Sequence, residues 1–295
     1  MITTDLTGNI GNHLFQYALC RTIAEKRGFD WGVNPIPYGD YYSGQSQIDF
    51  LNIHYGSPIE GIVREHIEQK ISIPNSPANA VWMRYEPTLI DTVEDNTKIT
   101  GAWQTEKYFL KNKDNIKDWY SVNSDVKKQV EDLNILDENT CVINIRGGEY
   151  RNHPELVIQA DYYKKAMDIM IKKNPNMKFV VVTDDVPFAH SQLQLPTYHY
   201  NIAIDWCLIN EAKWLILSNS SFAWFPAWLN DDCNMVITPK YWARHNVSDG
   251  YWASSDIFTK GWLNLDREGC LYDYDMVVEE VQNGKYNSFK GEELI

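Results

Sequence analysis

The stretches CVINIR at residues 141–146 and KFVVVTDD at residues 178–185 decide the fold class of this protein. Both are apolar runs rich in Val and Ile that end in charged residues. WLILSNS at 214–220 and NMVITPK at 234–240 repeat the pattern with polar or turn residues at the end. Continuous apolar runs of this length are typical of buried parallel strands. They predict the core of a parallel sheet.

Helical segments are predicted between and after these strands, at 161–173, 204–214 and 222–229. This alternation is that of a doubly wound α/β domain. Ligands of such domains bind beyond the carboxyl ends of the strands. The candidate site is therefore made of the residues that end the apolar runs, which are 146–149, Asp184, Asp185 and 219–221.

The chain begins with another predicted strand, loop and helix. The short apolar run at 2–6 leads into a loop with Gly8 and Gly11, after which apolar residues recur at helical spacing up to Gly28, the expected stop. Glycines in such a loop let backbone N–H groups approach a phosphate or a sugar. The third glycine of a dinucleotide fingerprint is missing, so a tight turn with Asn12 capping the helix is the alternative.

Arg146 follows a buried strand in the motif NIRGGEY, and two glycines after it keep the neighbouring backbone open. A guanidinium at a strand end binds a phosphate through two parallel hydrogen bonds. The alternative is a structural ion pair with a carboxylate. Glu149 is either that partner or a general base for a hydroxyl nucleophile.

Two further strand ends carry polar groups suited to a nucleotide. Asp184 and Asp185 are placed to accept from ribose hydroxyls or base N–H groups, or to cap a helix. Ser220 and Ser221 open the helix predicted after them, where hydroxyls and backbone N–H groups meet the positive end of the helix dipole. These features predict a phosphate site, with simple N-capping as the alternative.

Composition restricts the classes of function. The chain has 295 residues, and its 27 Lys and Arg against 40 Asp and Glu give a formal net charge of −13, which disfavours a nucleic-acid-binding protein. No segment predicts a membrane-spanning helix and the start lacks the layout of a secretory signal, so we expect a cytoplasmic protein. The five cysteines contain no C-x-x-C pattern, and neither a disulfide framework nor a zinc site is expected.

The domain organisation follows from changes in the pattern. The polar stretch at 121–140 is the candidate for a change of domain, and we place the boundary near residue 125. Residues 30–90 are rich in loops and are expected to recognise the acceptor of any reaction. Asp273 and Asp275 have the spacing of metal-binding carboxylates, but they precede a helical segment and are predicted to cap it. This last helix is either part of the second domain or packs back on the first.

Several segments together resemble the bacterial α-1,2-fucosyltransferases of glycosyltransferase family 11. Six motifs follow the order of that family: GNIGNHLFQYALCRTIA at 8–24, GAWQTEKYF at 101–109, NIRGGEY at 144–150, VVTDD at 181–185, SNSSFAWFPAW at 218–228 and VITPKYW at 236–242. Six motifs in sequence are far more specific than any one of them. The resemblance covers residues 1 to 265, most weakly between 30 and 90.

The resemblance implies an α/β fold with two facing Rossmann-like domains, the GT-B-like arrangement of glycosyltransferases. Residues 1–125 would form the acceptor-side domain, and residues 126–295 the domain that binds the sugar nucleotide. The implied reaction is inverting transfer of fucose from GDP-fucose to a glycan hydroxyl, with no cofactor and no obligatory metal. The implied partners are a sugar nucleotide and a glycan acceptor, and the sequence leaves a homo-oligomer open.

The resemblance also assigns roles to residues. It places Arg146 on the donor diphosphate, and with Glu149 as the base these two are the candidate catalytic residues. The family has His, a second Arg and Asp where this chain has Asn144, Gly147 and Glu149, which removes a cation unless Arg151 supplies one. The candidate substrate-binding residues are Asn12, Gln16, Asn144, Gly148, Asp184, Asp185, Asn219, Ser220, Ser221 and Phe222.

Three alternatives stay open at this point. The first is a transferase that uses another GDP-sugar, which the altered Arg motif permits. The second is a non-catalytic glycan-binding protein whose nucleotide site has decayed. The third is a nicotinamide-dependent oxidoreductase, which the incomplete glycine fingerprint disfavours.

Overall fold

The structure of the protein is a computed structural model that describes residues 1–35, 48–72, 81–248 and 255–286. Its contacts divide the chain into two compact units. Unit 1 comprises Met1–Ile71 and Met83–Asn123, and unit 2 comprises Ser72–Trp82 and Ser124–Ile295. The main segment of unit 2 thus begins at Ser124, whereas the sequence places the boundary near residue 125.

Unit 1 is built on a sheet of short parallel strands. In chain order, the elements up to residue 123 are β1 Ile2–Thr4, α1 Ile10–Arg27, β2 Trp31–Val33, β3 Arg64–Ile67, β4 Lys70–Ser72, β5 Val81–Met83, α2 Leu89–Thr92, β6 Thr97–Thr100 and α3 Lys113–Trp119. The sheet has the order β2-β1-β6-β3, and every pairing in it is parallel. The strands β4 and β5 form a separate two-stranded sheet.

The helix α1 ends as predicted and begins earlier than predicted. Gly28 follows its last turn with φ +68°, and its N–H donates to the carbonyl of Ala24. At the other end the helix begins at Ile10, with Asn9 in the N-cap position and no side-chain cap. The predicted cap at Asn12 is therefore wrong, because Asn12 already lies inside the first turn.

Unit 2 carries the larger sheet. Its elements from residue 124 onwards are α4 Ser124–Leu133, β7 Thr140–Ile145, α5 Ala160–Lys173, β8 Lys178–Thr183, α6 Val186–Gln192, β9 Thr197–Tyr198, α7 Ile202–Asn210, β10 Trp214–Ile216, α8 Ser221–Trp228, β11 Met235–Pro239, β12 Leu263–Leu265, β13 Leu271–Tyr272 and α9 Tyr274–Gln282. The strand order is β9-β8-β7-β10-β11-β12-β13, parallel except for β13.

The four predicted strands of unit 2 are confirmed as β7, β8, β10 and β11. Each places a fully buried residue in the core: Ile143, Val181, Ile216 and Ile237. The first six strands, numbered within the unit, have the spatial order 3-2-1-4-5-6 of the dinucleotide-binding fold. The predicted α/β class with Rossmann-like units is thus confirmed.

The last helix contacts other residues of unit 2. Val277 of α9 is fully buried against Tyr241, Phe258 and Tyr286. Asp273 caps this helix by accepting from the N–H of Met276 at 2.9 Å, as predicted.

Two expectations concern segments rather than single residues. Of the loop-rich part at 30–90, residues 36–47 and 73–80 lie outside the described residues, and the rest contains β2 to β5. Among the described residues, no helix combines the length and the apolar character that crossing a bilayer requires.

Candidate functional site

The strand order of unit 2 reverses between β7 and β10. These strands are neighbours, with Cys141 opposite Trp214 and Ile143 opposite Ile216, although β8 and β9 separate them in sequence. A crevice opens beyond the carboxyl ends of the strands at such a switch point. Arg146 follows β7, and the stretch 217–221 follows β10. The fold therefore brings two of the predicted strand ends together at this point.

Asn144 ties three strands together at this edge of the sheet. Its Nδ2 donates to the carbonyl of Val182 in β8 at 3.3 Å, and its Oδ1 accepts from the hydroxyl of Ser218 at 2.8 Å. The residue is buried. Because both ends of the amide are bonded to the protein, Asn144 holds the strand ends in place, and the substrate contact predicted for it stays a prediction.

Arg146 is held by two carboxylates. Its Nη1 donates to Asp184 Oδ2, and its Nη2 donates to Glu149 Oε1 at 2.9 Å. The guanidinium carbon lies 5.0 Å from the centre of the Tyr150 ring, within the range of a cation–π interaction. The side chain of Arg146 is 22% exposed and that of Glu149 is 50% exposed. A guanidinium has five N–H donors, so these pairings leave donors for an anion.

The two aspartates organise the loop after β7. Asp184 Oδ1 accepts from the N–H of Gly147 at 2.8 Å, and Asp185 Oδ2 accepts from the N–H of Gly148 at 3.2 Å. Asp185 Oδ1 accepts from the N–H of Phe188 at 3.0 Å and so caps α6. The helix-cap interpretation of Asp185 is confirmed, and the ribose or base contact of this pair stays a prediction.

Arg151 adds a second cation to the same loop. Its Nη1 lies 3.2 Å from Asp185 Oδ2, and its side chain is largely exposed. Burial by itself would raise the pKa of Asp185, but hydrogen bonds from Phe188 N–H, from Arg151 and from Gly148 N–H outweigh it and hold that pKa below its usual value. Asp185 therefore stays ionised and keeps the loop in place.

The helix after β10 begins at the predicted serines. Ser220 is the N-cap residue of α8, and its Oγ accepts from the N–H of Ala223 at 3.4 Å. The N–H groups of Ser221 and Phe222, the first two helical residues, have no acceptor inside the helix. The Phe222 ring is half-buried, 6.2 Å from the ring of Trp206. The capping is confirmed, and the end of the helix still offers N–H groups and a positive dipole to an anion.

Asn219 connects this helix start to its surroundings. Its Nδ2 donates to the carbonyl of Leu156 at 2.8 Å and to that of Trp242 at 2.5 Å. Its Oδ1 is buried and has no hydrogen-bond partner among the described residues. Its backbone carbonyl accepts from the hydroxyl of Tyr150 at 3.4 Å. A buried acceptor without a donor costs about 1–3 kcal/mol, which a ligand hydroxyl or a water would recover.

A cleft lies beyond the ends of β10, β11 and β12. Its walls combine large aromatic rings with hydroxyl and amide groups: Trp224, Trp242, Phe258, Trp262, Ser218, Asn219, Ser220, Thr259 and Asn264. Aromatic faces beside convergent polar groups are suited to sugars, which have both apolar faces and hydroxyls.

In unit 1, the side chain of Gln16 holds the glycine loop that follows β1. The Oε1 of Gln16 accepts from the N–H of Thr7 at 2.9 Å, and its Nε2 donates to Thr7 Oγ1 at 2.8 Å and to the carbonyl of Gly101 at 3.0 Å. The residue is buried. Gln16 therefore shapes the loop from beneath, and a direct substrate contact stays a prediction.

Asn12 lies next to the same loop and is partly exposed. Its Oδ1 accepts from Gln104 Nε2 at 2.6 Å. Gly8 has φ +74°, and a Cβ there would lie 2.0 Å from Asn12 Nδ2. The loop thus requires glycine at residue 8 so that Asn12 keeps its place.

Some residues of the site were missed by the sequence analysis. Tyr150 belongs to the motif NIRGGEY, but only the structure shows that its ring supports Arg146 and its hydroxyl reaches Asn219. Trp262, which lines the cleft, could not be predicted because it lies outside the six sequence motifs. Glu68 of unit 1 accepts two backbone hydrogen bonds from the loop after β6, and no pattern in the loop-rich region pointed to it.

The sequence model described as Glycosyl transferase family 11 matches residues 94–266, more than half of the chain. This chain belongs to glycosyl transferase family 11. The match contains every residue of the unit 2 site from Asn144 to Phe222, whereas Asn12 and Gln16 lie outside it. Membership of family 11 makes the chain a glycosyltransferase, as the resemblance implied.

The chain is also similar to individual glycosyltransferases and to solved structures. An alpha-1,2-colitosyltransferase of Escherichia coli is 25% identical in an alignment 300 positions long, which covers 90% of this chain and 99% of the relative. The O-antigen biosynthesis glycosyltransferase WbnK of Escherichia coli is 27% identical in an alignment 166 positions long, which covers 50% of this chain and 53% of the relative. A crystal structure of POFUT1 in complex with GDP is 11% identical, covers 79% of this chain and 94% of its own, and has a TM-score of 0.49.

Proposed function

We propose that this family 11 glycosyltransferase transfers fucose from GDP-fucose to a glycan hydroxyl with inversion at the anomeric carbon. One observation carries the proposal: a guanidinium, Arg146, and a helix N-terminus, at Ser221, follow adjacent strands at the switch point of unit 2. Both favour negative charge. The departing GDP develops negative charge on its diphosphate, and preorganised donors of this kind stabilise such a transition state.

Glu149 is the proposed base. Its half-exposed pairing with Arg146 is of a kind worth about 0–1 kcal/mol, so a diphosphate with its larger charge competes with it for the guanidinium. The released carboxylate accepts the proton of the acceptor hydroxyl. The hydroxyl oxygen then bonds to the anomeric carbon from the face opposite GDP, as the bond from that carbon to the diphosphate oxygen breaks.

The remaining residues bind and orient the substrates. Asp184 and Asp185 are proposed to accept from ribose or guanine, together with the backbone of Gly148. The unpaired Oδ1 of Asn219 would accept from a donor hydroxyl in the cleft. Asn12 and Gln16 of unit 1 are proposed to serve the acceptor. Arg146 and the end of α8 supply the positive charge, so we propose no cofactor and no obligatory metal.

The donor sugar has a second candidate. The alpha-1,2-colitosyltransferase matches along almost its whole length, which favours colitose linked to the same nucleotide as an alternative to fucose. The α-1,2 linkage is proposed on the same ground. A cytoplasmic location and a homo-oligomer stay predictions.

The test is transfer by the purified protein to a galactoside acceptor from GDP-fucose, GDP-colitose, GDP-mannose and UDP-galactose, each with and without EDTA. We expect transfer from one of the first two donors, unchanged by EDTA, with an inverted product by NMR. Loss of activity in EDTA would contradict the metal-free mechanism. Binding of glycans without stabilisation by GDP, UDP or CDP would favour a glycan-binding protein instead, and NADH binding would favour an oxidoreductase.

A further inference from the structure

Glu68 clamps a loop of unit 1. It follows β3 directly, and it is 4% exposed. Its two carboxylate oxygens accept from consecutive backbone N–H groups of the loop after β6, Oε2 from Ala102 at 2.7 Å and Oε1 from Trp103 at 3.1 Å. Hydrogen bonds to an ionised acceptor are about twice as strong as neutral ones. The carboxylate therefore holds the loop backbone at two adjacent points.

The clamped loop is strained. Trp103 is fully buried and has φ +56°, a left-handed conformation that a bulky side chain rarely adopts. At Gly101 a Cβ would lie 2.4 Å from Glu68 Cβ, so the loop approaches Glu68 too closely for any other residue. Strain of this kind persists only where the surroundings enforce it, and it is concentrated at functional sites.

The loop in turn holds the glycine loop after β1. Gln104 Nε2 donates to Asn12 Oδ1 at 2.6 Å, and the carbonyl of Gly101 accepts from Gln16 Nε2 at 3.0 Å. Both ends of the stretch 101–104 thus contact residues that the sequence singled out as candidate substrate-binding residues. A chain of direct contacts runs from Glu68 to Asn12.

We propose that Glu68 is a positioning residue for the transfer reaction: its ionised carboxylate fixes the stretch 101–104, and through Gln104 it fixes Asn12. This rests on the proposed function, in which unit 1 serves the acceptor. Glu68 itself is buried by the loop and acts through it.

The surroundings of Glu68 make the clamp sensitive to pH. Burial raises the pKa of Glu68 to about 6, the two backbone hydrogen bonds and Lys70 oppose this rise, and Glu86 adds to it. Among the described residues, three more groups lie near this cluster: the Tyr108 hydroxyl, which accepts from Glu86 N–H, Tyr85, whose ring packs against that of Tyr108, and His66, which lies 2.9 Å from Glu86 Oε2. A proton on the Glu68 carboxylate removes an acceptor from one of the two N–H groups.

Activity and stability should separate as this proton binds. Because the native pKa of Glu68 lies above that of the unfolded chain, the native state takes up the proton more readily, and its stability does not fall on that account between pH 6 and pH 4.5. A loosened loop lowers transfer in the same range. Because the contribution of Glu68 to stability depends only on this difference in pKa, a fall in transfer over the same range cannot come from unfolding caused by its protonation.

The experiment compares Glu68→Gln with Glu65→Gln. Glu65 lies on β3, is exposed and accepts from Thr100 Oγ1 at 2.7 Å, which makes it a matched control. In Glu68→Gln one N–H faces an amide NH2, so we expect kcat/KM for the acceptor to fall on the order of tenfold. The affinity for GDP should stay within about twofold, since the variant leaves the unit 2 site intact. In the pH profile of Glu68→Gln, the fall of transfer below about pH 6 should disappear. Glu65→Gln should behave as wild type.

Amide hydrogen exchange separates the outcomes. In the wild type, protection of the Ala102 and Trp103 amides should fall between pH 7 and pH 5 after correction for intrinsic exchange, and this measurement needs no variant if Glu68→Gln does not fold. Unchanged protection, or a Glu68→Gln enzyme with wild-type kcat/KM and its acidic limb intact, overturns the proposal. If the wild type transfers no sugar from any donor, the proposed function is wrong, and exchange still decides whether Glu68 holds the loop.

Discussion

The hydroxyl of Ser218 donates a hydrogen bond of 2.8 Å to the Oδ1 of Asn144, and this bond joins the two strand ends at which the order of the unit 2 sheet reverses. Both residues are buried. Arg146 lies two residues beyond Asn144, and Ser220 lies two residues beyond Ser218. The bond therefore fixes the guanidinium relative to the start of α8.

Ser218→Ala tests this relationship. The substitution leaves the buried Oδ1 of Asn144 without a donor, and we expect a loss of about 1–3 kcal/mol in the free energy of unfolding together with lower turnover. Urea denaturation and transfer kinetics measure the two effects. Ser191→Ala is the control, since that exposed hydroxyl donates to the Phe188 carbonyl of its own helix, and it should change stability by less than about 0.5 kcal/mol. Equal effects in both variants would argue against a special role for the Ser218 bond.

Arg146→Ala should lower kcat by roughly 10²–10³, the range found when one preorganised donor to a developing negative charge is removed. Arg146→Lys keeps the charge but loses the planar pair of donors, so we expect an intermediate value. Arg267→Ala, which removes a cation paired with Glu268 at the surface of the same unit, controls for net charge. Turnover of Arg146→Ala within a few-fold of wild type would show that the leaving-group role is wrong.

Glu149→Gln distinguishes the base from the ion-pair partner. Removal of a negative charge beside Arg146 should leave the affinity for GDP equal or tighter, because one competitor for the guanidinium is gone. Loss of the base should lower kcat by roughly 10²–10⁴. Calorimetry with GDP and steady-state kinetics measure the two effects. Tighter GDP binding with kcat unchanged would leave Glu149 as an ion-pair partner only.

Gly8→Ala and Gly28→Ala form a matched pair. Both glycines have positive φ, +74° and +68°, so each substitution should cost about 1–2 kcal/mol of stability. A Cβ at residue 8 also meets Asn12 Nδ2 at 2.0 Å, whereas nothing lies within 4 Å at residue 28. We therefore expect Gly8→Ala to lose acceptor transfer and Gly28→Ala to keep it at temperatures where both are folded. Similar activities in the two variants would exclude a role for the position of Asn12.

His245 should make the protein less stable in mild acid. Burial lowers its pKa to about 3, and neither ring nitrogen has a hydrogen-bond partner among the described residues. The unfolded chain binds a proton below about pH 6.5 that the native state excludes, so the stability from this residue is complete above that pH and is lost as pH falls toward 3.

Denaturant unfolding from pH 7 to pH 4 measures this effect. His245→Phe should remove up to about 1.4 kcal/mol per pH unit of the wild-type slope below pH 6. His190→Gln, at an exposed position, should keep the slope. If the free energy of unfolding of His245→Phe falls with pH as steeply as that of the wild type, residues other than His245 cause the acid sensitivity.

Local patterns were sufficient for the four central strands of unit 2 and for several element ends. The apolar runs at β7, β8, β10 and β11, the stop at Gly28 and the caps at Ser220 and Asp273 all follow from a few adjacent residues. The cap at Asn12 was predicted wrongly because Asn9, Asn12 and the loop glycines offer several starts for the helix. The conformation of this loop is fixed by the hydrogen bonds of the buried Gln16 amide, and one of their partners, Gly101, lies 85 positions away in sequence.

The sequence by itself determined the α/β class, the polar groups at the strand ends and the family, because these depend on side-chain periodicity and on motifs whose residues are neighbours in the chain. Only the tertiary structure decided that Asn144 and Gln16 support the site from beneath, that Arg146 rests between Asp184, Glu149 and the Tyr150 ring, and that Glu68 clamps the loop after β6. The physical reason is that hydrogen bonds and ion pairs act over a few ångströms in space, and residues that far apart in sequence meet only once strands and loops are packed.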